Sequence, residues 1–248
     1  SNTVDFVSWN WKMGTTSGLT GGTITPSAYS ISATAGQSVI AYTGTGSNAT
    51  IPHGLGKAPV LIICKQYDTG RNWATYWGTL GATKYIPFTD VVAGTSSAYW
   101  NDTEPTSTVF SVGTQDETNG TGTIVAYCFT DVKGYSASGS YYGTGNADGP
   151  FVYTGFRPAC IILKEWDGTN SWQIWDDKRA PYNVANAYLQ PSTTSADITG
   201  NNNLDLLSNG FKLRSTNTAN NGAGQNFAYM AFAEFPFVSS NSKASTAR

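Results

Sequence analysis

Tyr42-Thr43-Gly44-Thr45-Gly46 and Tyr141-Tyr142-Gly143-Thr144-Gly145 are the stretches from which the fold is read. They lie 99 positions apart, and the same offset pairs Gly56 with Gly155, Pro59 with Pro158, and Ile62-Ile63-Cys64-Lys65 with Ile161-Ile162-Leu163-Lys164. It also pairs Asp68 with Asp167 and Trp73 with Trp172. Further on, Val109-Phe110-Ser111-Val112 matches Gly210-Phe211-Lys212-Leu213 at an offset of 101, and Tyr127-Cys128-Phe129 matches Met230-Ala231-Phe232 at 103. Chance rarely aligns Gly, Pro and Trp together in this way, so the pattern reads as an internal duplication of a unit of roughly one hundred residues.

Around these motifs the elements read as strands. Val60 to Lys65 and Ala159 to Lys164 are short continuous apolar runs, suited to central strands covered on both faces. The turn sequences at 68–72 (DTGRN) and 167–170 (DGTN) lead into the aromatic strands Trp73–Trp77 and Trp172–Asp176 as hairpins. Phe211 and Leu213 alternate with Lys212 and Arg214, the mark of a half-exposed strand. Ile124–Phe129 and Phe227–Phe235 close the two copies. Low charge (12%) with many Gly, Ser, Thr and Asn residues fits pleated strands joined by tight turns. The expected fold is all-β and antiparallel, either two packed β-sandwiches or one pseudo-symmetric sandwich. Its parts are an N-terminal strand and linker (1–37), with Val7, Trp9 and Trp11 on one face, a first repeat (38–136), a second repeat (137–238) and a polar tail (239–248).

Composition removes several function classes. A formal net charge of −2 leaves no basic surplus for nucleic acid. No apolar run is long enough for a membrane span, and the first residues lack the pattern of a signal peptide. Cys64, Cys128 and Cys160 sit in apolar runs without metal or redox spacing, opposite Leu163, Ala231 and Leu61 in the other copy, and read as small buried hydrophobes. The single histidine, His53, lies in the turn IPHGLGKAP opposite Val152 and reads as structural. Asp148 and Asn170 have oxygens for a cation but no ligand spacing. No cofactor or metal site is expected.

Two constellations remain. Glu165, Asp167, Asp176 and Asp177 gather on one hairpin, where a glycan-cleaving pair would need two facing carboxylates; they also read as solvated turn residues. The aromatic strands carry rings on both faces. Trp73 and Trp172 are assigned to the core, while Tyr76, Trp77, Trp100, Trp166 and Trp175 are the candidate surface contacts for sugars or a partner subunit. The alternative is that all of them fill the interior or an oligomer interface.

The opening FVSWNWKMG, the stretch SVIAYTGTGSNATIPHGLGKAPVLIICK, the segment STVFSVG, the joint GYSASGSYYGTGNADGPFVYTGFRPACIILK, LLSNGFKLR and the ending FAYMAFAEFPF together resemble a domain of unknown function from virion proteins of marine and other tailed bacteriophages. The resemblance covers nearly the whole chain. It implies a virion location, a structural or adhesive role in a tail-fibre-like appendage, and homo-oligomeric assembly, a trimer being what fibres suggest. Contacts with neighbouring virion proteins or a host surface glycan follow from it, and no catalytic residue does. The readings carried forward are a non-enzymatic adhesive component, a purely architectural decoration or joint protein, and a polysaccharide depolymerase.

Overall fold

A computed structural model describes residues 10 and 12–234. The expected N-terminal alternation of Val7, Trp9 and Trp11 and the polar tail therefore lie outside the described residues. The first half runs β1 (Ala28–Ser32), β2 (Gln37–Thr43), β3 (Ala49–Pro52), β4 (Leu61–Gln66), β5 (Ala74–Trp77), β6 (Lys84–Pro87), β7 (Gly94–Thr95), α1 (Ser97–Trp100), β8 (Val109–Val112), α2 (Asp116–Asn119) and β9 (Thr123–Phe129). The second runs β10 (Ser136–Tyr142), β11 (Phe151–Tyr153), β12 (Pro158–Glu165), β13 (Gln173–Asp176), β14 (Ala185–Leu189), β15 (Ile198–Leu207), β16 (Gly210–Leu213), α3 (Thr218–Asn221) and β17 (Asn226–Ala233).

The chain is nearly all β, and its ladders are antiparallel. Strands of the second half form one sheet in the order β10-β17-β12-β13-β14-β15-β16-β11, curled around one core as a near-closed barrel. In the first half β2-β9-β4-β5-β6 follows the same order as β10-β17-β12-β13-β14, and β8-β3 pairs as β16-β11 does; here a break after β7 separates a seven-stranded from a two-stranded sheet.

Three apolar clusters explain the continuous runs of the central strands. Ile62, Cys64, Tyr76, Ile124 and Phe110 fill the first half. Ile161, Leu163, Trp175, Phe211 and Tyr229 fill the second. The opposite faces of β4, β5 and β9 meet those of β12, β13 and β17 in a third cluster, with Leu61, Trp77 and Phe129 against Cys160, Trp172, Met230 and Phe232. Trp77 stacks on Trp172 at 5.8 Å, and Trp172 on Phe88 at 4.4 Å. Because side chains alternate along a strand, burial on both faces removes the need for polar residues at every second position.

The glycine motifs are explained by two asparagines. Asn119 and Asn221, each the last residue of a one-turn helix, are fully buried. Asn119 accepts from Thr45 N and donates to the carbonyls of Ser47 and Gly113; Asn221 accepts from Thr144 N and donates to those of Asn146 and Ser215. The tyrosines that open the motifs also match, Tyr42 donating to Thr118 O and Tyr141 to Asn220 O, both at 2.6 Å. Only glycine fits next in the motif: a Cβ at Gly44 or Gly143 would lie 2.0 or 2.1 Å from the carbonyl oxygen of Gly120 or Gly222.

Strand register corrects one part of the duplication. Ile51 pairs with Phe110 and Val152 with Phe211, and the next amides bond Thr108 O from His53 and Asn209 O from Thr154. His53 therefore corresponds to Thr154, not Val152, and Gly54, not Gly56, to Gly155. Two extra residues between Gly145 and Pro150 are cancelled by two fewer before Pro158, so the offset of 99 on either side conceals a local offset of 101.

Candidate functional site

The ring-bearing strands do not present the expected surface. Tyr76 points into the first core, donating to Glu104 Oε2 and meeting the Trp100 ring edge-on at 5.9 Å; Trp100, at the end of α1, is buried beside it. Trp175 fills the second core against Tyr188 at 4.7 Å. Trp77 is buried between the halves. Trp166 is half-buried at the same junction, its carbonyl accepting from Ala93 N and its ring 6.0 Å from Lys84 Nζ. Four of the five candidate surface rings are thus interior, Tyr76, Trp100 and Trp175 in the core of their own half and Trp77 on a second strand face that the other half covers. Trp172 is core as expected. Trp73 is not: it is 38% exposed at the strand end, against Phe88 and Tyr127.

The carboxylates are similarly committed. Glu165 accepts from Asn170 N and Nδ2 across its turn, and Asp167 accepts from Asn226 N, as Asp68 does from Thr123 N in the first half. Lys164 and Lys65 close the same turns, each donating to two turn carbonyls. Burial pushes the Lys164 ammonium down to about 8. Asp176 bonds Arg179 and Asp177 bonds Arg157 at the other end of the hairpin. Asp176 is in register with Cys160, five residues from Glu165. At a rise of about 3.3 Å per residue the two carboxyls stand roughly 17 Å apart along the sheet, well beyond the 5–9.5 Å that glycoside cleavage uses.

The remaining candidate groups also have partners or burial of their own. His53 is buried, accepting from Leu55 N at Nδ1 and so donating from Nε2 to Thr106 O; burial holds its pKa below the ordinary value. Burial pushes Cys64 and Cys160 up to about 12 and Cys128 well above its usual range, which keeps all three as thiols. Asp148 is held below the usual carboxylate range by Lys212, with Arg214 adding to it. Asn170 is bound to Glu165. Among the described residues no group of three or more His, Cys, Asp or Glu side chains is placed to hold a metal ion.

What reaches solvent is a different set of rings, and much of it belongs to the second half: Tyr142, Phe151, Tyr153 (67% exposed) and Tyr182 (84%). Val152, Leu204, Leu206, Phe211 and Leu213 point into the barrel, so their neighbours form its outer wall. Across that wall Phe151 is in register with Lys212 and Asp205, and Tyr153 with Gly210 and Leu207. Asn183 pins the Tyr182 loop beside them by bonding both backbone groups of Leu206. Lys212 and Arg214 sit on the same wall with Asp148 and Asp205. The alternation around Phe151 and Tyr153 was available in the sequence. The burial of the tryptophans, which makes these lesser rings the exposed ones, was not.

In the first half Phe151 and Tyr153 correspond by register to Thr50 and Pro52. Thr50 O accepts from Thr23 N and Ile24 N, and Thr50 N donates to Thr23 Oγ1, so this chain's own residues cover that strand. The rings are therefore a property of one half alone.

No curated protein and no solved structure matches the chain. One family does, a domain of unknown function designated DUF7483, and the match extends over residues 1–236 and so over all three cores and the ring-bearing wall; the chain belongs to that family.

Proposed function

We propose that the chain is a structural and adhesive component of a tailed-phage virion, built from two copies of one β unit and acting by contact instead of reaction. The single observation that carries this reading is the outer wall of the second half. Phe151 and Tyr153 on the barrel wall and Tyr182 on the loop beside it stand exposed near Lys212, Arg214, Asp205 and Asp148, flat apolar faces flanked by hydrogen-bonding groups. A host surface glycan is bound by that combination, rings stacking on the sugar face and charged groups meeting its hydroxyls. Location on a tail-fibre-like appendage, assembly as a homo-oligomer (trimer) and contact with other virion proteins complete the proposal.

A host-glycan array tests it. Saturable binding that falls at least about tenfold in Tyr153→Ala and Tyr182→Ala, with unchanged melting temperature, is the expected result. No binding by well-folded protein overturns adhesion. The purely architectural reading draws on a separate observation, the uncovered sheet edge of the same half, and predicts assembly without glycan affinity.

A further inference from the structure

The two halves differ in how their sheets end. In the first, residues 14–32 fill the gap between β2 and β3: β1 pairs with β2 from Gln37 to Ala41, Thr15 pairs with Ile31, and Thr23 and Ile24 bond Thr50 on β3. Leu19, Ile24, Tyr29 and Ile31 enter the core from that segment. In the second half β10 stands where β2 does and β11 where β3 does, and the described residues supply nothing between them. The chain enters β10 through a tight turn in which Val132 and Ser136 exchange both backbone bonds, leaving no length for a covering segment. Among the described residues Asp131 reaches the β10 edge, accepting from Ser138 N and Oγ.

Among the described residues nothing pairs with the outer edge of β11. Thr154 N, Leu213 N and Gly149 N bond across to or from β16 at alternate positions, so the backbone N–H and C=O of Phe151 and Tyr153 turn away from it. The space differs in the same sense. A Cβ at Gly54 would lie 2.5 Å from Ile31 Cδ1 and 3.2 Å from Leu19 Cδ1, whereas at the corresponding Gly155 the nearest atom is the Tyr153 hydroxyl oxygen at 3.4 Å. The inserted aliphatic side chains of one half are missing from the other, and a tyrosine two-thirds exposed stands at the mouth.

We propose that the β10–β11 seam receives an uncharged extended strand from a second polypeptide, adding to the sheet edge as residues 14–32 do in the first half. The chemistry of the occupant follows from its counterpart and from the rims. The segment from Leu19 to Ser32 carries no charge, and neither do β10 and β11. Asp131 at the β10 edge is already bonded to Ser138, and Lys212 beside β11 to Asp148, so a charged strand would lose hydration on docking without gaining a free partner, and backbone bonds to Phe151 and Tyr153 supply the affinity. This inference shares the second-half wall with the adhesion proposal, but its occupant is a peptide.

The probe is a synthetic peptide of residues 14–32 titrated into the full chain, followed by calorimetry and by amide hydrogen exchange. Expected are one-to-one binding, slowed exchange at Phe151 and Tyr153, no binding of a scrambled peptide, and a loss of at least about tenfold with Phe151→Lys, a lysine at an open edge being the usual block to strand addition. Phe151 is exposed, so an unchanged melting temperature verifies that this variant folds. No binding at millimolar peptide, protection at Thr50 in place of Phe151, or equal binding by Phe151→Lys overturns the proposal. Glycan binding without peptide binding also overturns it while leaving the adhesion reading intact; peptide binding without glycan binding does the reverse.

Discussion

Replacing Asn221 with alanine removes the side chain that ties the 143–146 loop to α3 and β16. Its carboxamide is fully buried and makes three bonds to backbone, at 2.9 Å from Thr144 N, 2.7 Å to Asn146 O and 2.8 Å to Ser215 O. The bond to Ser215 O is buried, and its loss costs about 1–3 kcal/mol; the two part-buried bonds add roughly 0.5–1 each. The total of about 2–5 kcal/mol is a large share of the 5–15 typical of a folded domain. Asn119→Ala is expected to cost the same within about 1 kcal/mol, because its bonds to Thr45 N, Ser47 O and Gly113 O repeat the arrangement. Urea unfolding followed by tryptophan fluorescence measures both. Asn221→Asp keeps the acceptor but turns an oxygen toward two carbonyls, so it is expected to be at least as damaging at neutral pH. A loss below 1 kcal/mol in either alanine variant refutes the claim that these asparagines hold the glycine motifs.

Three further outcomes follow. Trp77→Ala opens a cavity against Trp172 between the halves and costs about 3–5 kcal/mol by thermal or chemical unfolding, whereas Trp73→Ala, at a partly exposed strand end, costs clearly less. His53, lowered from an ordinary 6.5 by burial, takes up its proton at a lower pH when folded than when unfolded. Its contribution is therefore complete above about pH 6.5 and is lost as pH falls through the folded value; unfolding midpoints measured from pH 7 to 4.5 show a slope that His53→Gln reduces. Cys64, Cys128 and Cys160, buried and held as thiols, are expected to resist a thiol reagent until the chain unfolds, and fast labelling of any of them in native protein contradicts their placement.

Much of the scaffold was legible, partly from local chemistry, as in the apolar runs of β4 and β12, and partly from repetition. The turns opened by Asp68 and Asp167 and the YTGTG and YYGTG motifs stand out because they recur, although the groups that hold them, Thr123, Asn226, Asn119 and Asn221, lie far along the chain. The candidate site was read wrongly for a non-local reason. Alternation places Tyr76 and Trp77 on opposite faces of β5, but periodicity cannot say that one face meets the first core and the other meets Trp172 of the second half. The covering segment was missed too, since Gly14 to Ser32 is rich in glycine, serine and threonine and reads as a linker; its strand forms because β2 offers backbone partners from Gln37 to Ala41. The His53 counterpart was misplaced because an insertion and a deletion of equal length cancel within ten residues. A barrel and a sandwich share the same alternation, so the curl of the eight-stranded sheet left no mark on the pattern.

The asymmetry between the halves, one edge covered by its own chain and the other bare among the described residues, underlies both proposals. Residue-resolved hydrogen exchange of the isolated protein at low concentration measures it directly. Thr50, bonded to Thr23, is predicted to exchange slowly while Phe151, its counterpart on β11, exchanges near the rate of an unprotected amide. Equal and strong protection of the two in a monomeric sample would contradict the account.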